Sequence, residues 1–486
     1  MSDRRYRARA PRRWLVHGRG RRCLDPHPRP APPGQEGSIL RREALREAAA
    51  GIEARTPTGR DRYADLVRVV AILLVVLGHW LVAVVTVDDG RFVATQLLAV
   101  EPWTQWATWV WQVMPLFFLV GGRVNAGSLR RALERGDPWW WWVRRRARRL
   151  LRPMVPLLAV WVLLGPALEA FGLSTPMIER ATEVAFMPLW FLVVYTLVIL
   201  AAPASWWLHR RGGWWVLLAA TALVATIDAL VTAGVPMVGV VNHLLVFAIA
   251  HQVGYLWVDD RLPRGAGGPL LTAAGILWAV LMVTVADYPV SMVGVEGPTP
   301  SNATPPNLAL VALALAQTGL LVTLRAPADR WLHRSALAWA AVASVGAAII
   351  TIFLWHMSAL VAAAAATHLT GWWPDVEPTT AGWWALRPGW VLVCTAALVA
   401  LVLAARRTER VGEPGAGGPL ATILGAGAAA GGLYVILESG LYDPQRSLRV
   451  PVIGLVLLLG GLVLLGVLVP RLSVPAGGTR RSGAAR

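Results

Sequence analysis

Long apolar segments, separated by short polar stretches, dominate this sequence. Residues 66–87 and 150–170 are two such segments, and about 20 apolar residues are enough for a helix to cross the hydrocarbon core of a membrane. Charged residues make up only 15% of the 486 residues, whereas soluble globular chains contain about 25%. The sequence therefore predicts an all-α fold, a polytopic transmembrane helical bundle.

The apolar pattern predicts about twelve membrane helices. The first six are expected at 66–87, 103–121, 150–170, 186–203, 214–231 and 238–258. The other six are expected at 269–287, 307–324, 340–366, 388–405, 419–437 and 450–470. Two predicted outer loops, 286–306 and 367–387, are candidates for a lid or an acceptor-binding surface.

The distribution of arginine supports this helix count and gives an orientation. With residues 1–65 on the cytoplasmic side, 19 Arg fall in predicted inner loops and 5 in outer loops, as the positive-inside rule requires. The outer five are Arg91, Arg180, Arg387, Arg446 and Arg449. The net charge of +18 is typical of nucleic-acid binding, but these charges flank apolar runs. We therefore expect contact with membrane lipids and not with nucleic acid, in a multi-pass plasma (cytoplasmic) membrane protein with both termini in the cytoplasm.

The polar N-terminal region differs in composition from the rest of the chain. Residues 1–60 lack an apolar central region and are dominated by Arg, Pro, Gly and Ala, so they are not a signal peptide. We expect a disordered cytoplasmic tail, which either contacts anionic lipid headgroups or has no function because the start codon is placed too far upstream. Cys23 and Cys394 lie in the tail and in an apolar run, so neither a disulfide framework nor a metal site is expected.

The stretch DLVRVVAILLVVLGHW at 65–80 carries the most informative polar residues. Arg68 and His79 are 11 positions apart, which at about 100° per residue places both on one helix face, roughly 16 Å apart along the axis. We expect Arg68 near the cytoplasmic headgroups, paired with Asp65, and His79 deep in the bilayer. An intramembrane ionisable residue is costly and indicates function. The alternatives are a histidine that only packs against a neighbouring helix and an arginine that anchors the membrane edge.

This stretch resembles the first helix of acyltransferase family 3, integral membrane enzymes that acylate sugars, glycans and antibiotics. The family is recognised by a basic residue, ten intervening residues and a histidine. Five further segments also resemble it: MPLFFLVGG at 114–122, WVRRRARRLLRPMVP at 142–156, PLWFLVVYTL at 188–197, AHQVGYLW at 250–257 and IFLWHMSAL at 352–360. The segment at 114–122 departs from the pattern, because Gly121 stands where the family often has Ser.

The resemblance covers residues 60–405 and implies a domain organisation. We expect a membrane acyltransferase domain with ten helices at 61–405, two additional transmembrane helices at 406–470 and a short cytoplasmic tail at 471–486. The resemblance further implies that His79 and Arg68 are catalytic and that the Arg-rich segment binds the donor. Its candidates are Arg145, Arg146 and Arg149; the alternative is a positive-inside cluster. Candidate cavity-lining residues are Asp65, Trp190, His251 and His356, whereas His209 and His333 are expected to be solvated.

The activity implied by the resemblance is transfer of an acyl group, other than an amino-acyl group, from acyl-CoA to a hydroxyl. The transferred group would be acetyl, and the acceptor a sugar, glycan, lipid-linked or other small molecule; acyl-CoA is a donor substrate, and no permanently bound cofactor is expected. His79 would act as general base, in a water-accessible pore shared with arginines that hold the donor phosphates. The alternative is a proton-coupled transporter, although no repeat relates the two halves of the chain.

Overall fold

The computed structural model describes residues 35–88, 91–297, 301–372, 376–405 and 417–468. The first nine helices are α1 (Gln35–Ala54), α2 (Arg62–Val82), α3 (Leu97–Val100), α4 (Thr108–Trp111), α5 (Met114–Glu134), α6 (Trp139–Leu151), α7 (Met154–Ala170), α8 (Thr175–Phe186) and α9 (Trp190–Gly212). The others are α10 (Trp214–Thr232), α11 (Asn242–Val258), α12 (Gly267–Val285), α13 (Leu308–Arg334), α14 (Ala336–Ala347), α15 (Ile349–Leu369), α16 (Ala381–Ala405), α17 (Pro419–Ser439) and α18 (Val452–Leu464). Short 3₁₀ helices lie at Pro102–Ala107, Met187–Leu189 and Pro236–Val241.

The predicted all-α polytopic bundle is confirmed. Within the described ranges, nine helical spans are long and apolar enough to cross a membrane, or ten if the bent pair α6–α7 counts as one span. The helices α14 and α18 are apolar but shorter. Each of the twelve predicted segments contains helix, so the differences concern where helices begin, end and break.

The first membrane helix ends five residues earlier than expected. It stops at Val82, and β1 (Ala83–Asp88) pairs in antiparallel register with β2 (Arg91–Gln96). The residues after Ala83 are Val, Val, Thr and Val, whose β-branched side chains favour a strand. His79 consequently lies in the last turn of α2, followed by this hairpin.

A buried arginine from α16 completes the end of α2. The Arg387 guanidinium donates to the carbonyls of Leu81 at 2.9 Å and Ala83 at 2.6 Å, and it lies 3.7 Å from the ring centre of Trp383. The last carbonyls of a helix have no partner within the helix, so this contact fixes the point where α2 ends. It also ties α2 to α16 close to His79.

Three other predicted helices differ in their ends or breaks, and proline accounts for two of these differences. The segment expected at 150–170 is divided by Pro153 into α6 and α7, which are bent by 41°, because proline cannot donate a helical hydrogen bond. The segment expected at 340–366 breaks at Ala348. The helix expected at 103–121 begins only at Met114, with Pro115 in its first turn, where proline is favoured.

The expectation of a disordered tail through residue 60 needs correction at Gln35–Ala54, which is helical. The helix end is held by tertiary contacts: Glu53 pairs with Arg62 at 2.5 Å, and Thr56 accepts a hydrogen bond from the Trp339 indole at 2.7 Å. The Arg62 guanidinium also lies 4.9 Å from the Trp339 ring centre. The expectation for residues 1–34 lies outside the described residues.

Two C-terminal helices, α17 and α18, cross closely through small residues. A Cβ added at Gly432 or at Gly461 would fall against the backbone of the opposite helix, so glycine allows direct backbone contact there. The buried guanidinium groups of Arg144 and Arg148 on α6 lie beside Gly466, just after α18. The expected tail at 471–486 lies outside the described residues.

The helices α5 and α11 also touch backbone to backbone. A Cβ at Gly122 would overlap the His251 carbonyl, and a Cβ at Gly254 would overlap the backbone of Leu119 and Arg123. Small residues permit this kind of approach between membrane helices. The crossing places Asn125 of α5 against His251 of α11, with Asn125 Nδ2 at 3.0 Å from His251 Nε2.

Candidate active site

Two histidines from α2 and α15 form a direct pair. His79 Nδ1 lies 2.7 Å from His356 Nε2, and the two ring planes differ by only 9° with centroids 5.0 Å apart. A nitrogen separation this short at that centroid distance means that the rings meet edge to edge through the hydrogen bond and do not stack face to face. His356 is completely buried, whereas His79 is partly accessible.

A backbone carbonyl determines where the protons of this pair lie. His356 Nδ1 is 2.5 Å from the carbonyl oxygen of Phe353, and a carbonyl can only accept, so Nδ1 carries the proton. With both rings neutral, His356 Nε2 is therefore the acceptor and His79 Nδ1 the donor. His79 Nε2 then bears a lone pair, and it makes no hydrogen bond within the described part of the chain. The pair thus has one unprotonated nitrogen that is free to accept a proton, His79 Nε2, and this is what a general base requires.

Tryptophans hold the helices that carry the pair. The Trp80 indole of α2 donates to the His356 carbonyl at 3.0 Å, and the Trp161 indole of α7 donates to Ser358 Oγ at 2.9 Å. Both bonds end on α15 within two residues of His356. The position of His356 relative to His79 is thus fixed by contacts that involve neither imidazole.

A cavity with a basic mouth lies on the Arg68 side of the pair. Arg68, Arg146 and Arg149 contribute its charge, and it encloses about 770 Å³, including space open to solvent. The remaining lining residues are mainly apolar: Ile72, Phe117, Gly121, Val124, Asn125, Leu150, Phe191, Leu192, Tyr195, Ile199, Ile349, Ile350 and Phe353. An adjoining cavity shares Arg68 and Arg149. Guanidinium groups at the entrance to an apolar cavity suit a ligand with an anionic head and a less polar arm.

Aromatic rings form the deep end of this cavity. Phe191 packs against Phe117 and Phe353, each with a centroid distance of 5.1 Å, and against Tyr195 at 5.2 Å. All four line the cavity, but His79 does not. The cavity that contains the arginines therefore does not reach His79, and Phe353 is the residue that connects the cavity wall to the histidine pair. The Phe353 ring lines the cavity, and the Phe353 carbonyl accepts from His356.

Two polar side chains in the cavity wall were missed by sequence reasoning. Asn125 Nδ2 donates both to His251 Nε2 at 3.0 Å and to Tyr195 Oη at 3.3 Å. A Cβ added at Gly121 would lie 2.6 Å from Tyr195 Oη, so this glycine makes room for the Tyr195 hydroxyl. The only available signal was that Gly121 and Asn125 are four residues apart and share a helix face.

The three candidate donor-binding arginines separate in the structure. Arg146 lines the cavity and donates to Ser128 Oγ at 2.8 Å, and Arg149 lines it as well. Arg145 is exposed and lies over Trp141, 5.2 Å from the ring centre. The structure thus brings Arg146 and Arg149 together with Arg68 and leaves Arg145 outside.

None of the four candidate cavity-lining residues lines the cavity itself. Asp65 pairs with Arg68 at 3.4 Å and with Arg60 at 2.7 Å. Trp190 packs against Phe191 and Phe247, His251 lies behind Asn125, and His356 is the partner of His79. The position of Asp65 confirms only its predicted pairing.

A second histidine expectation also needs correction. His209, expected to be solvated, is buried. Its Nε2 bonds Asp259 at 3.0 Å, and its Nδ1 accepts from Gln252 at 3.0 Å. Among the described residues, no group of three or more His, Cys, Asp or Glu side chains could hold a metal ion.

Comparison with known protein families gives one family that matches the region of this site. The model of acyltransferase family 3, described as an acyltransferase domain, matches residues 61–406. Searches of the curated proteins and of the solved structures give no match. The matched region contains the histidine pair and the whole basic cavity, and it ends before α17 and α18.

Proposed function

This chain belongs to acyltransferase family 3 and is a multi-pass membrane acyltransferase, and on that premise we propose that it transfers acetyl from acetyl-CoA to a hydroxyl group. The acceptor is a sugar, a glycan, a lipid-linked or another small molecule. In this proposal the protein resides in the plasma membrane with both termini in the cytoplasm, so that the Arg68 end of the cavity receives the cytoplasmic donor.

The donor binds by its phosphates at the basic mouth. Arg68 and Arg149 are shared by both adjoining cavities, and Arg146 is fixed by its bonds to Ser128 and the Val124 carbonyl. Planar guanidinium groups match phosphate oxygens with two parallel hydrogen bonds. The pantetheine arm then follows the apolar wall toward the aromatic end, where the Phe353 ring must turn aside to admit the thioester to the histidine pair.

The reaction needs one base and one proton donor, and His79 serves as both. Nε2 takes the proton of the acceptor hydroxyl while the hydroxyl oxygen bonds to the thioester carbonyl carbon. As the tetrahedral intermediate collapses, the carbon–sulfur bond breaks and the leaving thiolate takes the proton back from Nε2. In the imidazolium state, the Nδ1–H of His79 donates to His356, which stabilises the charge.

The observation that carries this proposal is the chain of hydrogen bonds from His79 through His356 to the Phe353 carbonyl, from which the lone pair on His79 Nε2 follows. The test uses purified protein in liposomes, with binding of acetyl-CoA measured by calorimetry and transfer of labelled acetyl to a glycan fraction measured by scintillation counting. Saturable binding and transfer support the proposal. Proton flux without acetyl-CoA binding overturns it in favour of a proton-coupled transporter.

Loss of a cavity arginine is expected to weaken donor binding. Replacing Arg149 with alanine removes one guanidinium from the mouth, and one charge-assisted hydrogen bond contributes about 1.5–3 kcal/mol, so we expect the Kd of acetyl-CoA to rise roughly tenfold because the site is partly solvated. Arg145→Ala is the matched control, since Arg145 carries the same charge on the same helix but lies outside the cavity. Equal effects of the two variants on Kd would contradict the assignment.

Removing the partner of His79 is expected to lower turnover and leave donor binding intact. His356→Ala deprives the His79 imidazolium of its acceptor, a charged hydrogen bond of about 1.5–3 kcal/mol, so kcat should fall roughly 10- to 150-fold. The KM for acetyl-CoA should stay unchanged, because His356 does not line the cavity. His356→Gln retains an acceptor oxygen and should restore part of kcat; equal losses in both variants would indicate a purely structural role.

A further inference from the structure

Asn125 and Tyr195 leave one acceptor and one donor for a ligand. Asn125 Nδ2 has two hydrogens, and both are used, one by His251 Nε2 and one by Tyr195 Oη. The Asn125 Oδ1 atom therefore remains as an acceptor. Tyr195 Oη accepts from Asn125, and its own hydrogen has no acceptor within the described residues. Both side chains line the basic cavity.

These two groups lie where the charged and the aromatic parts of the cavity meet. Along α5, Arg146 contacts Val124 and Ser128, and Asn125 lies within that stretch. The Tyr195 hydroxyl lies against Gly121, one turn further along, and Phe117 lies at the deep end. From Ser128 to Phe117 is 11 residues, or about 16 Å along a helix. A ligand with its anionic head at the arginines and its other end at Phe117 therefore passes Asn125 and the Tyr195 hydroxyl.

An amide-bearing arm is the ligand chemistry that satisfies both groups. Its N–H donates to Asn125 Oδ1, and its carbonyl accepts from the Tyr195 hydroxyl. A simple alkyl chain would displace water from both polar groups without replacing its hydrogen bonds, which costs free energy. The cavity wall thus distinguishes an amide-bearing arm from an alkyl chain by hydrogen bonding and not by size alone.

We propose that Asn125 and Tyr195 form a subsite for the amide groups of the donor arm. The inference rests on the proposed function and adds how the donor arm is recognised: the two residues bind the pantetheine amides, so an acyl phosphate, which has no amide, is a poor donor. Gly121 is part of the subsite, because only a residue without a Cβ leaves the Tyr195 hydroxyl in place.

The test measures how much each end of the donor contributes to binding. Affinities of the purified protein for CoA and for adenosine 3′,5′-bisphosphate, the phosphate-bearing end without amides, are measured by calorimetry for the wild type and Tyr195→Phe. Losing one neutral hydrogen bond should weaken the affinity for CoA about two- to tenfold. The affinity for the bisphosphate should stay unchanged, which also shows that the cavity is folded. Tyr255→Phe is the control, since Tyr255 is a buried tyrosine outside the cavity.

Three other results have distinct meanings. Unchanged CoA affinity in Tyr195→Phe overturns the subsite and leaves the proposed function standing. Equal weakening of the affinities for CoA and for the bisphosphate overturns the subsite as well, because the hydroxyl would then affect the whole cavity. If the wild type binds neither CoA nor the bisphosphate, the proposed function itself fails, and the subsite fails with it.

Discussion

Replacing His79 with alanine should reduce acetyl transfer by about 10²- to 10⁴-fold, the contribution of a positioned general base. The protein should still fold, because His79 is partly accessible and makes a single side-chain hydrogen bond, to His356. The affinity for acetyl-CoA should also persist, since His79 does not line the basic cavity. Initial rates in proteoliposomes, together with calorimetric Kd values, measure the two effects separately.

A suitable control for this variant is His368→Ala. His368 lies in the last turn of α15, the helix that carries His356, and it does not line the cavity. The acetyl-transfer rate of the His368→Ala variant should match that of the wild type. If His79→Ala transferred acetyl at the wild-type rate, His79 would not be the base, and the histidine pair would have only a structural role.

A methyl group at Gly254 should prevent normal assembly of the membrane domain. An alanine Cβ there would overlap the backbone of Leu119 and Arg123 on α5, and backbone cannot rotate away as a flexible side chain can. Separating α5 from α11 would also break the bond from Asn125 to His251. We expect destabilisation of about 3 kcal/mol or more, seen as a lower unfolding temperature in detergent and a loss of monodisperse protein.

The same substitution at Gly127 provides the comparison. Gly127 lies on α5, and a Cβ there would meet only the end of the Arg131 side chain at 3.6 Å. Because that distance is an ordinary van der Waals contact, Gly127→Ala should have the wild-type unfolding temperature. Equal stability of the Gly254 and Gly127 variants would mean that α5 and α11 are not in backbone contact.

The helices were largely predictable because apolar length determines which segments can cross a membrane. Their ends were less predictable, since they depend on local chemistry and on distant contacts. The β-branched run after Ala83 could have indicated the hairpin, but the contribution of Arg387 could not, because that residue contacts Leu81 across 306 positions of sequence. Gln35–Ala54 was expected to be disordered because composition does not show that Trp339 lies beside the end of this helix.

The arginine cluster shows both the strength and the limit of helical periodicity. At about 100° per residue, Arg146 and Arg149 share one face of α6, and Arg144 and Arg148 share the opposite one. The sequence thus contained the two faces, but only packing reveals that the first faces the cavity and the second faces the segment after α18. Arg145 lies about 100° from Arg146 but only about 40° from Arg149, so periodicity alone did not place it outside the cavity, where it is exposed.

The histidine pair was beyond sequence reasoning for a related reason. Arg68 and His79 belong to one helix, so their common face follows from spacing alone. His356 lies 277 residues away from His79, and the proton arrangement depends on the Phe353 carbonyl one turn earlier. No local pattern shows which histidine bonds to which, or which ring nitrogen remains without a proton.

A donor held by Arg68, Arg146 and Arg149 should deliver its acyl group past Phe353 to His79. A cryo-EM structure with a non-hydrolysable thioether analogue of acetyl-CoA tests this directly. We expect phosphates at the three arginines and a rotated Phe353 ring. The carbon that replaces the thioester carbonyl should lie within about 4 Å of His79 Nε2, close enough for an acceptor hydroxyl to bridge them. An analogue bound with its acyl end away from His79, and Phe353 unmoved, would contradict it.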